Sequence, residues 1–467
     1  RFFQVRWKDI ARGGLRVVMP RNVSDYSHSL SGLFDEVYGL SAAQQAKNKD
    51  IPEGGSKAVL LLKPSGNKTR AVRGAINALL DLLVAADEAY EKHVSQLVNY
   101  YDQEEIIYLG PDENMTNDLI TWIPEQAQRR GYQYARAFMS SKPGDGINHK
   151  EYGVTSEGVN VYVDHMIRFL GINPMKDIFT VKMTGGPDGD VAGNELNILY
   201  REYGENAKVV AIADGFGAAY DPIGLSWDEL LRLFKESKSI SDFDSEKLSD
   251  SKDAYVILAD TPENVRKRNE LHYKALADIF IPAGGRPYTV NDKNWEKFIA
   301  DTGDPTCRAI VEGANIFFTP EARQKLQEAG VMMIKDSSAN KTGVICSSYE
   351  IIASLLLSPE EFAEIKDVYV GQVVDNLRAR AAEEARLLFS EYINNGGRHT
   401  LVDLSQMISD EINEVTDTLL EAFEKDPIKV LEKQVFSDIL YRHVPPVLVE
   451  KYNERIENLP EAHKIAI

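Results

Sequence analysis

Lys57 closes the run "IPEGGSK", with two glycines just upstream and the aliphatic stretch "AVLLL" behind it. A lysine drawn into such a setting has its ammonium pKa pulled down by desolvation, and can then carry protons or steady developing charge. Gly54 and Gly55 read as thin backbone that a substrate can approach. An exposed turn with an ordinary surface lysine is the plain alternative. Asp112, in "YLGPDENMT", follows the end of an expected strand, where catalytic groups often sit; by itself it reads equally as a turn residue. Arg12 and Arg16 in "ARGGLR", with Lys47 and Lys49 in "AKNKD", add cations near glycines. In an acidic chain this grouping suggests recognition of carboxylates, although any one of them alone is an unremarkable surface charge.

A second constellation lies at "VKMTGGPDGDVAGNEL", residues 181–196. Glycines between a strand and a helix let the backbone approach a pyrophosphate, whose charge is favoured at a helix N-terminus. Gly185, Gly186, Gly189, Asp190 and Val191 are the candidates for that contact. The loop is longer than the usual dinucleotide fingerprint and holds Asp188 and Asp190, so a plain strand-to-helix turn competes. The next strand, "VVAIAD", ends on Asp214, at the interval where a carboxylate accepts hydrogen bonds from a ribose diol. Such a carboxylate repels a 2′-phosphate, which favours NAD over NADP.

Two other leads close quickly. "SGNKTR" has Asn67 between glycine and lysine and no upstream glycine at the phosphate-loop offset. The eight histidines show no paired metal-ligand spacing, and no metal is expected.

The elements that must position these residues follow from periodicity. Strands are expected at "AVLLLKP", "EEIIYL", "DIFTVKM", "AKVVAIAD", "DIFIPA", "RAIVEG" and "VMMI". A helix is expected from Val72 to about Tyr100, with Val72, Ile76, Leu79, Leu80 and Leu83 on one face. A second is expected from Pro124 to Phe138, and a third capped by Thr155 with Val159, Val163, Met166, Ile167 and Leu170 inward. "SKPGDGINHKEYG" is the best linker. Strand, glycine loop, helix and strand in succession around residue 185 mark a βαβ unit of a parallel sheet. Residues 235–251 are polar and serine-rich, an excursion between elements, and from about Ser347 the chain is helical and acidic.

At 467 residues the chain calls for two or three domains. Its formal net charge of −19 argues against nucleic acid or an anionic membrane as partner. Two cysteines, Cys307 and Cys346, cannot build a disulfide framework, which fits a reducing compartment, the cytoplasm or the mitochondrial matrix of a eukaryote. No apolar run is long enough to span a bilayer.

Taken in order, "GGLR", "GGSK", "GPDENM", the glycine loop, "AIADGFGAAYDPIGL", "IVEGANIFFTPEA" and "SANKTGVICSSYE" resemble the glutamate dehydrogenase family, over most of the chain to about Glu350. "KDIPEGGSK" and the expanded glycine loop are most similar to the large NAD-specific glutamate dehydrogenases, in which such a region is part of a longer subunit. The resemblance implies an α/β fold: a substrate domain (residues 1–150), a Rossmann-type doubly wound NAD-binding domain (151–346) and a helical C-terminal region (347–467) returning to the substrate domain. It implies oxidation of L-glutamate to 2-oxoglutarate and ammonia with NAD as cofactor, in a homo-oligomer, with domain closure aligning the nicotinamide.

By the same resemblance Lys57 and Asp112 fall on the family's catalytic lysine and aspartate. Lys47 falls on the lysine for the substrate α-carboxylate, Ser347 on the serine for the side-chain carboxylate, and Asn340 on an asparagine near nicotinamide and substrate. Thr155 and Asn315 line the cofactor cleft. Arg12 stands where smaller relatives carry a lysine for the γ-carboxylate, and the interval from Lys47 to Lys57 is two residues shorter than theirs. A dehydrogenase of leucine or phenylalanine, and an NAD-binding sensor without turnover, are the alternatives.

Overall fold

The computed structural model describes residues 1–84, 105–144, 146–425 and 434–467. The part of the expected Val72–Tyr100 helix beyond residue 84, and Asp145 of the expected linker, lie outside the described residues. The chain divides into two compact units. One comprises Arg1–Asn148, Val344–Val373 and Ser409–Ile467; the other comprises His149–Gly343 and Val374–Ile408.

The first unit is built on a four-stranded sheet of β1 (Phe2–Arg6), β2 (Ile10–Val18), β3 (Gly54–Leu61) and β4 (Ile106–Pro111), in the order β1-β3-β2-β4. β1 runs antiparallel to β3, and the other pairs are parallel. Every residue of β3 is buried, because helices cover both faces of the sheet. Strand alternation then sorts side chains. Ala58 and Leu60 join Leu15, Val17 and the helix residues Val72, Ile76, Leu79, Leu119 and Ile123 in one core. Val59 and Leu61 pack on Leu33 and Val37 of the helix Val23–Lys47. Lys57 shares the parity of Val59 and Leu61, and Arg12, Gly14 and Arg16 share that of Val18, so all four face the same side.

Local chemistry sets the ends. Asn67, which separates glycine from lysine in "SGNKTR", caps the helix Lys68–Leu83 by accepting from the Arg70 amide at 2.8 Å. The helix expected from Pro124 instead spans Asn117–Arg129 and carries Pro124 inside it. Among the described residues, four strands go beyond those expected from the sequence: β1, β2 and, in the second unit, β7 (Gly217–Tyr220) and β8 (Tyr255–Leu258).

The second unit holds a seven-stranded sheet ordered β11-β10-β9-β5-β6-β7-β8. The remaining strands are β5 (Phe179–Thr184), β6 (Ala207–Ala213), β9 (Ala277–Pro282), β10 (Cys307–Val311) and β11 (Met332–Ile334). β11 through β6 run parallel, while β7 and β8 form an antiparallel edge. From β5 the chain moves outward to β6 on one side and later to β9 on the other. This is a doubly wound α/β sheet with its switch point between β5 and β9. The helix Val154–Phe169 is capped by Gly153 in the left-handed region (φ 61°), so Thr155 lies in its first turn and is not the cap. Only a residue without Cβ takes that conformation at little cost.

Candidate active site

In the first unit, β2, β3 and the end of β4 bring Lys57, Asp112 and Arg16 together. Lys57 Nζ donates to Asp112 Oδ2. Arg16 Nε reaches the same oxygen at 3.2 Å, and its Nη1 is anchored on Glu36 Oε1 at 2.8 Å. Asp112 Oδ1 accepts from the Glu113 amide at 2.8 Å, so the carboxylate is oriented at both oxygens. Burial lowers the pKa of Lys57; Asp112 opposes that effect and Arg16 adds to it. Burial alone would raise Asp112, but Lys57 and then Arg16 hold its carboxyl well below the ordinary range.

The space beside this pair comes from a glycine not singled out in the sequence. A Cβ on Gly14 would stand 2.8 Å from Lys57 Nζ and 3.2 Å from Asp112 Cβ. The expected role of Gly54 and Gly55 as thin wall for a substrate is corrected. A side chain on Gly54 would strike Lys8, and one on Gly55 the backbone of Gln44 and Gln45, so these two glycines admit neighbouring chain.

The other sequence candidates of this unit are buried but differently placed. Lys47 ends the helix Val23–Lys47, and Ser347 lies on the helix Thr342–Leu356; they are 4% and 0% exposed. Lys49 donates to Ser409 Oγ at 3.3 Å. Arg12 is 6% exposed, and its Nε has no hydrogen-bond partner. Burial lowers its pKa, against the attraction of Glu53 and Glu350. Glu53 was not foreseen as a member of this neighbourhood.

In the second unit the loop from Gly185 to Gly189 lies at the switch point. Gly185 (φ 96°) packs so closely on the loop after β9 that a Cβ would come within 3.0 Å of the Gly284 amide. Gly186 accepts the Gly189 amide at 2.9 Å, and a Gly186 side chain would collide with Asp214. Gly189 caps the helix Asp190–Tyr203 without a side-chain hydrogen bond, which leaves the first-turn amides for an anion. Val191 lies in that first turn, and its carbonyl accepts Ser156 Oγ at 2.8 Å. Thr155 accepts the Thr342 hydroxyl on its carbonyl at 3.2 Å.

Asp214 is more occupied than the sequence suggests. Its Oδ1 accepts the amides of Phe216 (2.8 Å) and Gly217 (3.0 Å), and its Oδ2 accepts Ser239 Oγ (2.7 Å) and the Ile240 amide (2.8 Å). A carboxylate offers about four lone-pair sites, so a ribose hydroxyl has to displace the one rotatable donor, Ser239. The serine-rich excursion therefore has a place in the fold.

Asn340 and Asn315 meet directly. Asn340 Nδ2 donates to Asn315 Oδ1 at 3.0 Å and to the Gly313 carbonyl at 3.1 Å, while the buried Asn340 Oδ1 has no partner. The loop between β10 and the helix Pro320–Glu328 is fixed from beneath. Arg323 forms a bidentate pair with Glu312 (2.6 and 2.7 Å), and Asp336 accepts the Ile316 amide at 2.7 Å. Arg323→Met strands the fully buried Glu312 carboxylate, at a cost of about 3–5 kcal/mol. It is expected to move the urea unfolding transition markedly lower; an unmoved midpoint would show that this ion pair does not support the loop.

A glycine loop at the switch point of a doubly wound sheet in one unit, and a lysine–aspartate pair with a buried lysine in the other, is the architecture of two-domain dinucleotide-dependent dehydrogenases. A model of the Glutamate/Leucine/Phenylalanine/Valine dehydrogenase family matches residues 146–395, and one of the bacterial NAD-glutamate dehydrogenase catalytic domain matches residues 3–261. The chain belongs to the glutamate/leucine/phenylalanine/valine dehydrogenase family. It is 36% identical to the NAD-specific glutamate dehydrogenase of Neurospora crassa, over 100% of this chain and 45% of that protein. It is likewise 36% identical to that of Saccharomyces cerevisiae, over 99% of this chain and 44% of that one. The chain thus spans less than half the length of these relatives. Among solved structures, Plasmodium falciparum glutamate dehydrogenase superposes with a TM-score of 0.60 at 17% identity, over 90% of this chain and 83% of that one. The hetero-hexameric glutamate dehydrogenase of Thermus thermophilus gives 0.58 at 18%, over 89% of each.

Proposed function

We propose that this chain carries the catalytic region of an NAD-dependent glutamate dehydrogenase, which converts L-glutamate to 2-oxoglutarate and ammonia. The observation that carries the reading is the Lys57–Asp112 pair, its lysine buried and its carboxylate half-buried, oriented by Arg16 and lying beside the space left by Gly14.

When bound, NAD supplies the acceptor for the hydride that leaves the α-carbon, and the residues of the second unit suit it. The uncapped first turn at Gly189, Asp190 and Val191 takes the pyrophosphate, with Gly185 and Gly186 keeping the loop thin. Asn340 Oδ1 is free to accept an amide proton, and Thr155 and Asn315 line the same region. Asp214 disfavours a 2′-phosphate by charge, whether or not it touches the ribose.

In the first unit, Lys57 holds the water that adds to the substrate iminium and steadies the negative charge that develops. Asp112 moves protons to and from the departing nitrogen. Lys47 holds the α-carboxylate, and Arg12 with Ser347 receives the side-chain carboxylate. A buried guanidinium with an unpartnered Nε is costly until an anion reaches it. That argues against a leucine or phenylalanine substrate, and the intact Lys57–Asp112 pair argues against a sensor without turnover. We further place the subunit in a homo-oligomer, which sedimentation of the full-length protein checks.

The test is absorbance of NADH formed by the full-length subunit on glutamate, repeated with NADP and with leucine. NAD with glutamate is expected to exceed the other combinations by at least about a hundredfold in kcat/KM. Faster oxidation of leucine would overturn the substrate assignment, and NAD binding with no turnover would favour the sensor.

A further inference from the structure

Among the described residues, Arg12 closes no ion pair with the counter-charges that act on it. Glu53, 1% exposed, precedes the two glycines that open β3, and Gly55 is the register partner of Arg12 in β2. Its Oε1 accepts Ser348 Oγ at 3.2 Å, and its Oε2 is buried with no hydrogen-bond partner. His463, fully buried on the helix Glu461–Ala466, lies beyond hydrogen-bond reach, with Nε2 3.8 Å from Glu53 Oε1. Neither of its ring nitrogens has a hydrogen-bond partner. On the helix Thr342–Leu356, Glu350 and Cys346 also act on Arg12.

These groups differ in how well their charge is satisfied. Glu350 accepts the amides of Ser141 (2.7 Å) and Ile147 (3.1 Å), with Lys142 Nζ at 3.9 Å, so both its oxygens are filled. Burial holds His463 neutral, with its pKa pushed down to about 4, and pushes the Cys346 thiol up. Glu53 is left as the carboxylate with an open oxygen. Its pKa is raised to about 7 by burial, with Arg12, then its own backbone amide, then Ser348 opposing.

An anion delivered to Arg12 enters a buried region that already contains that carboxylate. Like charges a few ångströms apart in low dielectric do not both stay ionised. The protonated Glu53 is neutral, and its O–H becomes a donor where the open oxygen now has none. Resting on the glutamate reading, we propose that Glu53 is a positioning residue whose uptake of one proton accompanies docking of the substrate's side-chain carboxylate on Arg12. Affinity for a five-carbon dicarboxylate then falls as pH rises past the range in which Glu53 ionises, by up to about tenfold per pH unit. Below that range Glu53 is already protonated and no proton is taken up.

The probe is glutarate, which carries both carboxylates and cannot be oxidised at an amine. Its binding to the full-length subunit is followed by calorimetry from about pH 6 to about pH 8.5, in buffers of unlike ionisation enthalpy. Expected is uptake near zero at the acid end, rising toward one proton per site at the alkaline end. Glu53→Gln is expected to abolish both the uptake and the pH dependence. Ser348→Ala removes a donor that favours the ionised carboxylate, and is expected to move the midpoint of uptake to higher pH. If the parent binds glutarate with no uptake anywhere, or if uptake persists in Glu53→Gln, the assignment to Glu53 is overturned while the glutamate reading stands. A parent that neither binds glutarate nor oxidises glutamate defeats the glutamate reading itself. Should Glu53→Gln not fold, uptake in the parent together with the Ser348→Ala shift decides.

Discussion

Lys57→Ala is expected to lower kcat for NAD-dependent glutamate oxidation by about 10³-fold, with a much smaller change in KM. The argument starts from burial. The side chain is on a strand whose every residue is buried, and desolvation draws its pKa down while Asp112 keeps it in place. A group so fixed has no orientation left to find in the transition state, and at about 1.4 kcal/mol per tenfold its loss removes about 4 kcal/mol of stabilisation. The carboxylates are held by Arg12, Lys47 and Ser347 in this reading, so ground-state binding is largely kept. Removing the ammonium also takes away the largest influence holding Asp112 low, and the Asp112 pKa rises in the variant. A small primary amine added from solution should restore part of the rate, because the space next to Gly14 adjoins the hole left behind. If Lys57→Ala kept more than about a tenth of the parent turnover, Lys57 would not be the group that activates water.

How far the sequence carried the reading depends on the signal each part uses. The β5–loop–β6 unit was legible because a buried parallel strand is a continuous apolar run and the glycines that follow it punctuate it sharply. β2 was not, since Gly13 and Gly14 interrupt its pattern, and glycine in a strand interior argues against a strand. The reason for them is tertiary: a Cβ on Gly13 would run into the Ser56 carbonyl of β3, and one on Gly14 into Lys57. The same limit applies to Arg16, Glu36 and Glu53. Strand alternation could have placed Arg12, Gly14 and Arg16 on one face, had β2 been recognised. No local pattern links Glu53 to a histidine 410 positions later, which meets it only through the packing of the helix Glu461–Ala466. In the helical C-terminal region, amphipathic spacing marks each helix but not its partner. Residues 374–408 pack with the second unit, whereas those before and after pack with the first.

Asp112→Asn separates the two members of the pair. In the free protein Asp112 is ionised, held low by Lys57 and Arg16, and an acid that strong is a poor donor to a departing amine. It becomes a useful proton carrier only when Lys57 gives up its charge and with it the largest influence holding Asp112 low. The asparagine variant is nearly isosteric and keeps Arg16 and the Glu113 amide as neighbours, but it cannot take up or release a proton. A fall of about 10²–10³-fold in kcat is expected. The pH profile gives the sharper reading. Asp112 favours the ammonium of Lys57, so its neutralisation makes the charged form less stable and lowers the Lys57 pKa further. Since the neutral amine is the form that accepts a proton, activity of the parent rises with pH as Lys57 deprotonates. The acid limb of kcat/KM for glutamate is therefore expected to move to lower pH in Asp112→Asn while the plateau drops. A limb that stayed in place would assign it to another group, and one that moved to higher pH would mean that Asp112 does not stabilise the lysine's charge.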